Sequence, residues 1–556
     1  MSALSADTID ARRGRPLSDV VRPRTEQAWQ PVELSVAQRH DLVDIWLTMF
    51  RDVYVHYAQK RALYGFDAVR ALYALRRQIP YLSAAGFVGE LTLLINRLRD
   101  QHTQLYVRAA DSAVTPYVAA LPFLAESYGE HLSPTYVVTK ISDDAGDPDF
   151  AVGAVLTTWN GVPFANAVDR YAETLTGGRP DARRARALET LTQRPLEFLA
   201  PPDELWVDIG YRLDGDAPGD ADRTVRFEWR AIEPAKATTA TDLIEMRTRR
   251  AIDATSEAAR RARKLLFQPL LWQHDRAGNR RTAKAADWIE TSFADAMSAR
   301  RLTTSHGTFG YLRLWTFDVD QTDRFVDAVA DVLGQLPRRG LIIDLRSNPG
   351  GVIDTAEQLF QLFAARRPIE PMRFAVRATE AMATIAEADG NGADFGDWAG
   401  STRSALDLGE EFSQHLPISD ADACNSRRQV YRGPIVAVVN ANTFSCGDLF
   451  AAGIVDHEIG SIVSIGDATG AGGANVWTSS DVEYAYHAAR LSLPALPPGI
   501  SFSISVRRMA RTGRSTGVVV EDVGVPGEDR YVMTRTDLFH GNQDLAEFCT
   551  GLLVAG

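Results

Sequence analysis

A chain of 556 residues exceeds what one hydrophobic core sustains, and ordinary domain sizes suggest roughly three to four units. Hydrophobic residues at 45% and charged residues at 24% describe a globular protein. The net charge of −12 argues against a nucleic-acid partner, which would rest on clustered Lys and Arg. Cys424, Cys446 and Cys549 are too few and too far apart for a disulfide framework or a zinc cluster, and no other motif calls for a metal or an organic cofactor. No apolar run approaches the ~20 residues of a membrane span, and the N-terminal stretch lacks the apolar core of a signal peptide. The expectation is a cytoplasmic protein, with export by a signal-less route left open.

Residues 1–30 carry Arg, Pro and Ser without periodicity and read as a loose arm. A helical region, 31–115, starts near Ser35, where "SVAQ" fits a capping box and apolar residues from Leu42 to Tyr57 recur at helical spacing. A later helix opens near Ser83 and is expected to end near Asp100. There "DQHTQLYVR" (100–108) turns to alternation and places His102 at a helix-to-strand junction. Residues 116–230 are short apolar runs broken by Gly, Pro and Asp, a β-rich module. Residues 231–300 include an Ala- and Arg-rich stretch without Gly or Pro over 236–268, expected to be an exposed helix with a solvated basic face.

From 301 to 556 strands and helices alternate. "GTFGYLRLWTF" (307–317), "GLIIDLR" (340–346), "PIVAVVN" (434–440) and "SIVSIG" (461–466) are strand candidates for an α/β sheet covered on both faces. A polar excursion at 372–430 has the length of a lid or an inserted element.

Four stretches carry chemistry. "DLRSNPGG" (344–351) ends a buried strand on Gly350-Gly351, whose amides can be turned into a cleft. "TFSCGDLFAAG" (443–453) presents Ser445 at a helix start. Ser445 with Asp448 fits a capping box, the structural reading. Equally, Ser445 beside the Cys446 N–H and a helix N-terminus has what a nucleophile and its oxyanion require. A serine needs a base. His102 and His457 are the candidates, and His457, about three helical turns beyond Ser445, would point away from it. "VVVEDVGVPGED" (518–529) adds carboxylates near the C-terminus.

The ordered set "DQHT", "DLRSNPGG", "TFSCGDLFAAG" and "VVVEDVGVPGED" resembles the serine protease family that includes the C-terminal-processing (tail-specific) proteases, the tricorn core protease and the chlamydial protease-like activity factor. The tail-specific branch uses a Ser/Lys dyad. Where its lysine would fall, this chain has "ATGAGG" (468–473), so the resemblance points to the tricorn-like and chlamydial branch with a His base. The resemblance implies a crotonase/ClpP-like α/β catalytic domain, a PDZ-like module at 116–230, and a serine endopeptidase acting on proteins or peptides without a cofactor. It implies Ser445 as nucleophile, His102 as base, Glu521 as the orienting carboxylate with Asp522 as its rival, and an oxyanion hole from Gly350, Gly351 and Cys446.

Two other readings stand beside it. One is a non-catalytic binding protein on the same fold, for a peptide or a small apolar ligand. The other is a hydrolase of small esters or amides. Self-association is left open. A restraint on activity is also expected, with 236–285 or 372–430 blocking the cleft.

Overall fold

A computed structural model describes residues 14–19, 33–107, 118–142, 148–196, 198–214, 216, 221–232, 250–263, 266–267, 287–364, 368–388 and 395–555. The rest of the expected arm, and 233–249 and 268–286 of the expected insertion, lie outside the described residues.

The central element is a seven-stranded sheet. Gly307–Leu314, Leu341–Asp344, Ile435–Asn440, Ser461–Ile465 and Asp529–Tyr531 run parallel as neighbours in that order. Met297–Thr304 is added antiparallel at one side and pairs in turn with Trp288–Ile289. The near-continuous apolar strands follow from cover on both faces. Leu341, Ile343, Ala437 and Val439 enter the main core, while Ile342, Val436 and Val438 pack with Leu545, Cys549 and Leu553 of the C-terminal helix Gln543–Ala555.

The N-terminal helix Val36–Thr48 opens on the expected capping box. The Ser35 Oγ accepts from the Gln38 N–H and the Gln38 side chain accepts from the Ser35 N–H, at 3.2 and 2.9 Å. Helix Ala84–Asn96 starts at Ser83 and ends four residues before Asp100. The strand after His102, Gln104–Val107, pairs antiparallel with Ile500–Ala510, Gln104 opposite Ser503. This fixes a histidine from the first fifth of the chain against the catalytic region.

Residues 118–232 form two sheets around their own aromatic core, including Phe123, Phe150, Trp159, Phe227 and Trp229. Residues 14–19, inside the stretch read as a loose arm, are ordered against these sheets. Arg15–Pro16 pairs with Arg230–Ala231, and Leu17 is buried. Three segments differ from their sequence reading. Met297–Thr304, read as the end of a helical insertion, is a sheet strand. Part of the excursion at 372–430 is built into the fold, since Arg373–Val376 pairs with Ile500–Ala510 and the buried Trp398 indole donates to the Phe374 carbonyl. Within 236–268, Arg250–Ile252 is a strand paired with Gly350–Val352, and the helix over 254–263 buries Thr255, Ser256, Glu257, Ala259 and Ala262. Its arginines are partnered rather than solvated: Arg260 and Arg261 with Glu257, and Arg263 with Glu189. Tertiary partners, which local composition does not report, overrode the solvated-helix pattern.

Candidate active site

The site lies beyond the carboxyl ends of Leu341–Asp344 and Ile435–Asn440, where open α/β sheets place their ligands. Asp344, buried, is gripped by Arg313, by Arg346 at 2.6 Å and by the Tyr311 hydroxyl at 2.7 Å. Burial alone would raise its carboxyl, but the two guanidiniums hold it well below the usual range. The loop it anchors continues to Asn348, whose carbonyl accepts from the Phe444 N–H at 2.8 Å and whose side chain donates to the Leu314 carbonyl. The two loops are thereby tied together.

Ser445 begins helix Cys446–Asp456 with φ 63° and ψ −115°, a conformation that costs a non-glycine residue about 1–3 kcal/mol. Asp448 reaches back and accepts from the Ser445 N–H at 2.6 Å, and the expected capping box is present. The hydroxyl also meets a second group: the Ser445 Oγ lies 2.8 Å from the His102 Nε2. Both residues are buried, at 0% and 1% exposure. The His102 backbone N–H donates to Asp100 Oδ1 at 2.8 Å, its carbonyl accepts from the Ser503 hydroxyl at 2.7 Å, and its ring packs on Phe444 with 4.7 Å between centroids. Burial lowers the imidazole pKa to about 4, with the Asp100 carboxylate pulling the other way. His102 is therefore neutral near pH 7, the state a base requires.

Glu521, the carboxylate that the resemblance assigns to His102, is held by other groups. Among the described residues the His102 Nδ1 has no hydrogen-bond partner, and the Glu521 carboxylate is engaged by the Lys60 ammonium at 2.5 Å and the Gly473 N–H at 2.9 Å. Asp522 likewise binds Lys60 at 2.7 Å, Tyr64 at 2.8 Å and Gln59 at 3.0 Å. The expected direct contact fails because a buried cation, 1% exposed, intercepts both carboxylates. Burial pulls the Lys60 ammonium down, but Glu521, Asp522 and Asp100 more than offset it and hold it protonated. Burial raises the Glu521 carboxyl, and the Lys60 ammonium pulls it the other way. Asp100 stays ionised: burial would raise it, yet Lys60 and the neighbouring histidines bring it down to about 2.

Lys60, His56 and Asp100 received no role from the sequence. Asp100 stands in "DQHT", two residues before His102, which was the available signal; Lys60 and His56 sit in an ordinary helical stretch. His56, Asp100 and Glu521 bring ligand atoms within 4.8 Å of one another, but the Lys60 ammonium already supplies the positive charge at that point. His457, at the far end of the Ser445 helix, packs tilted against Phe360 and does not approach Ser445.

Gly350 and Gly351 have φ of 100° and 149°, and a Cβ on Gly351 would lie 2.1 Å from the Phe317 carbonyl carbon. Only glycine fits that approach. The Gly350 N–H donates to Asn348 Oδ1 at 2.9 Å, so it is spent within the loop and is not an oxyanion donor as arranged. Its contribution is space, because a side chain there would meet Ser445 Cβ, the Cys446 nitrogen and the Ala251 carbonyl oxygen. Burial pushes the Cys446 thiol far up, so it is no thiolate nucleophile. The strand Arg250–Ile252 lies along this edge, Ala251 opposite Gly351.

No helix among the described residues is long and apolar enough to cross a membrane. Residues 308–493 match the model of peptidase family S41, a span that includes Ser445. No curated protein matches the chain. Its fold is similar to that of mature CPAF, with a TM-score of 0.65 at 16% identity over 94% of this chain and 98% of the other. A complex of mature CPAF with lactacystin gives 0.63 at 16% identity, over 94% and 99%. The tricorn protease is a looser match, 0.40 at 13% identity, over 94% of this chain and 37% of the other. Residues 308–493, which hold Ser445, are thus similar to peptidase family S41, and the chain as a whole has the fold of mature CPAF.

Proposed function

We propose that the chain is a serine endopeptidase in which Ser445 attacks a peptide carbonyl and His102 accepts its proton. The observation that carries this reading is the 2.8 Å contact between His102 Nε2 and Ser445 Oγ at a helix N-terminus. The oxyanion is held by the backbone N–H groups of Gly351 and Cys446, with the helix dipole behind them. His102 then protonates the leaving amine, and water repeats the cycle on the acyl-enzyme. Asp100 positions His102 through its backbone N–H and offsets its charge when protonated.

The test is labelling with a fluorophosphonate serine-hydrolase probe beside Ser445→Ala and His102→Ala. Labelling lost in both variants supports the dyad; labelling retained in Ser445→Ala sinks it.

A second reading concerns state. The dyad is buried and Arg250–Ile252 is paired along the glycine loop beside it, so we infer that this strand covers the dyad, that the chain as folded is latent and that the strand leaves before substrate enters. Labelling that rises after limited proteolysis within 233–286 supports latency. Full labelling of the intact chain, unchanged by proteolysis, removes it.

A further inference from the structure

The strand that closes the site also marks what the groove recognises. A Cβ built on Gly350 would lie 2.3 Å from the Ala251 carbonyl oxygen and 2.9 Å from both the Cys446 nitrogen and Ser445 Cβ. The Ala251 carbonyl thus lies in the neighbourhood where the mechanism requires a scissile carbonyl. Two residues further on, Asp253 is buried. Its carboxylate accepts from Arg186 at 2.7 Å, from the Gln101 amide, from the Ser256 hydroxyl and from the Thr255 N–H at 3.1 Å.

Those four partners divide in two. Thr255 and Ser256 belong to the same segment as Asp253, whose carboxylate caps the helix they lie in, so they leave when it leaves. Arg186, on helix Pro180–Thr190, and Gln101, next to His102, belong to the walls and stay. Arg186 is 2% exposed, its Nη1 has no partner among the described residues, and its side chain lines a cavity of about 1050 Å³ shared with Gln104, Thr176, Trp159 and Phe198. Removing Asp253 leaves a buried guanidinium without its carboxylate, which costs several kcal/mol unless another anion replaces it. A planar guanidinium beside an amide donor matches a carboxylate better than any neutral side chain.

Resting on the peptidase reading above, we propose that Arg186 is a specificity-determining residue. It takes an acidic side chain of the substrate, two positions beyond the residue whose carbonyl is attacked. Asp253 occupies that subsite in the closed chain, and a substrate strand paired along Gly350–Val352 replaces it with an aspartate or glutamate of its own.

The experiment uses the full chain carrying Ser445→Ala and Asp253→Asn, opened by limited proteolysis within 233–286. The second change keeps the shape of the cap and removes the competing charge. Two fluorescent decapeptides, identical except for Asp or Asn at that second position, are compared by anisotropy. The Asp peptide is expected to bind at least roughly tenfold tighter. Arg186→Gln in the same background is expected to erase the difference, and Arg186→Lys, which keeps the charge, to retain part of it. Equal binding of the two peptides, or binding of neither by a chain whose circular dichroism is unchanged, overturns the proposal. The outcome is separable from that of the peptidase reading. Absent fluorophosphonate labelling of the proteolysed wild type with the Asp preference intact would sink the peptidase and keep the acid subsite, and the converse would do the reverse.

Discussion

The two sides of His102 are closed in opposite ways. Behind the ring, Lys60, Glu521, Asp522, Asp100 and His56 form a buried charged cluster drawn from two distant parts of the chain and held by short ion pairs. In front, the dyad is covered by the three-residue strand Arg250–Ile252. The rear cluster is costly to open, because separating buried charges leaves each without compensation. The front cover is held by a short ladder and the Asp253 clasp, and short edge pairings open far more readily than a core. A site built this way keeps its base in place while its entrance changes state.

The largest effect should come from the front. Ser445→Ala is expected to lower peptidase activity in the opened chain on the order of 10⁴-fold or more, with the thermal midpoint little changed. Measured turnover of a peptide substrate at near wild-type rate would dismantle the comparison. The rear comes next. Lys60→Met removes the one ammonium among three carboxylates and is expected to destabilise the fold by about 3–5 kcal/mol in denaturant titration. A loss under about 1 kcal/mol would mean the cluster is not what holds the rear of the site.

The pH dependence sharpens the contrast. The folded His102 pKa of about 4 lies below the ordinary 6.5, so folding excludes a proton that the unfolded chain binds. Its contribution to stability is complete above pH 6.5 and is lost as pH falls towards 4, on the order of 3 kcal/mol. His56, which burial lowers to about 3, acts in the same direction. An NMR titration of the closed chain should accordingly place the His102 imidazole near pH 4; a midpoint near 6.5 would show that His102 titrates as an exposed group. The smallest effect is expected at Cys446. Cys446→Ser should retain most of the activity, since only its backbone N–H is used, and a loss beyond about tenfold in kcat would contradict that assignment.

Much of the site was legible because it sits on local boundaries. Ser445 follows an apolar strand and precedes a helix, His102 stands where helical spacing gives way to alternation, and Gly350-Gly351 ends a buried strand; each is a feature of a few consecutive residues. The capping-box reading of Ser445 was met, since Asp448 takes the Ser445 N–H, and the same hydroxyl also meets His102. Glu521 was drawn from a motif, and what diverts it is Lys60, more than four hundred residues away in the chain. No window of sequence contains that pair.

The sequence by itself marked the strands of a sheet covered on both faces, through apolar runs such as "GLIIDLR" and "PIVAVVN", and placed Ser445 and His102 at the boundaries where those local patterns change. Only the tertiary structure decided which carboxylate serves His102, that the Gly350 amide is consumed by Asn348, and that an Arg- and Ala-rich stretch with helical composition contributes a strand across the site. The reason is physical. Periodicity and capping act over neighbouring residues and leave their mark in neighbouring residues. Buried charge and strand pairing are settled by whichever partner arrives in space, and the most favourable partner here comes from the other end of the chain.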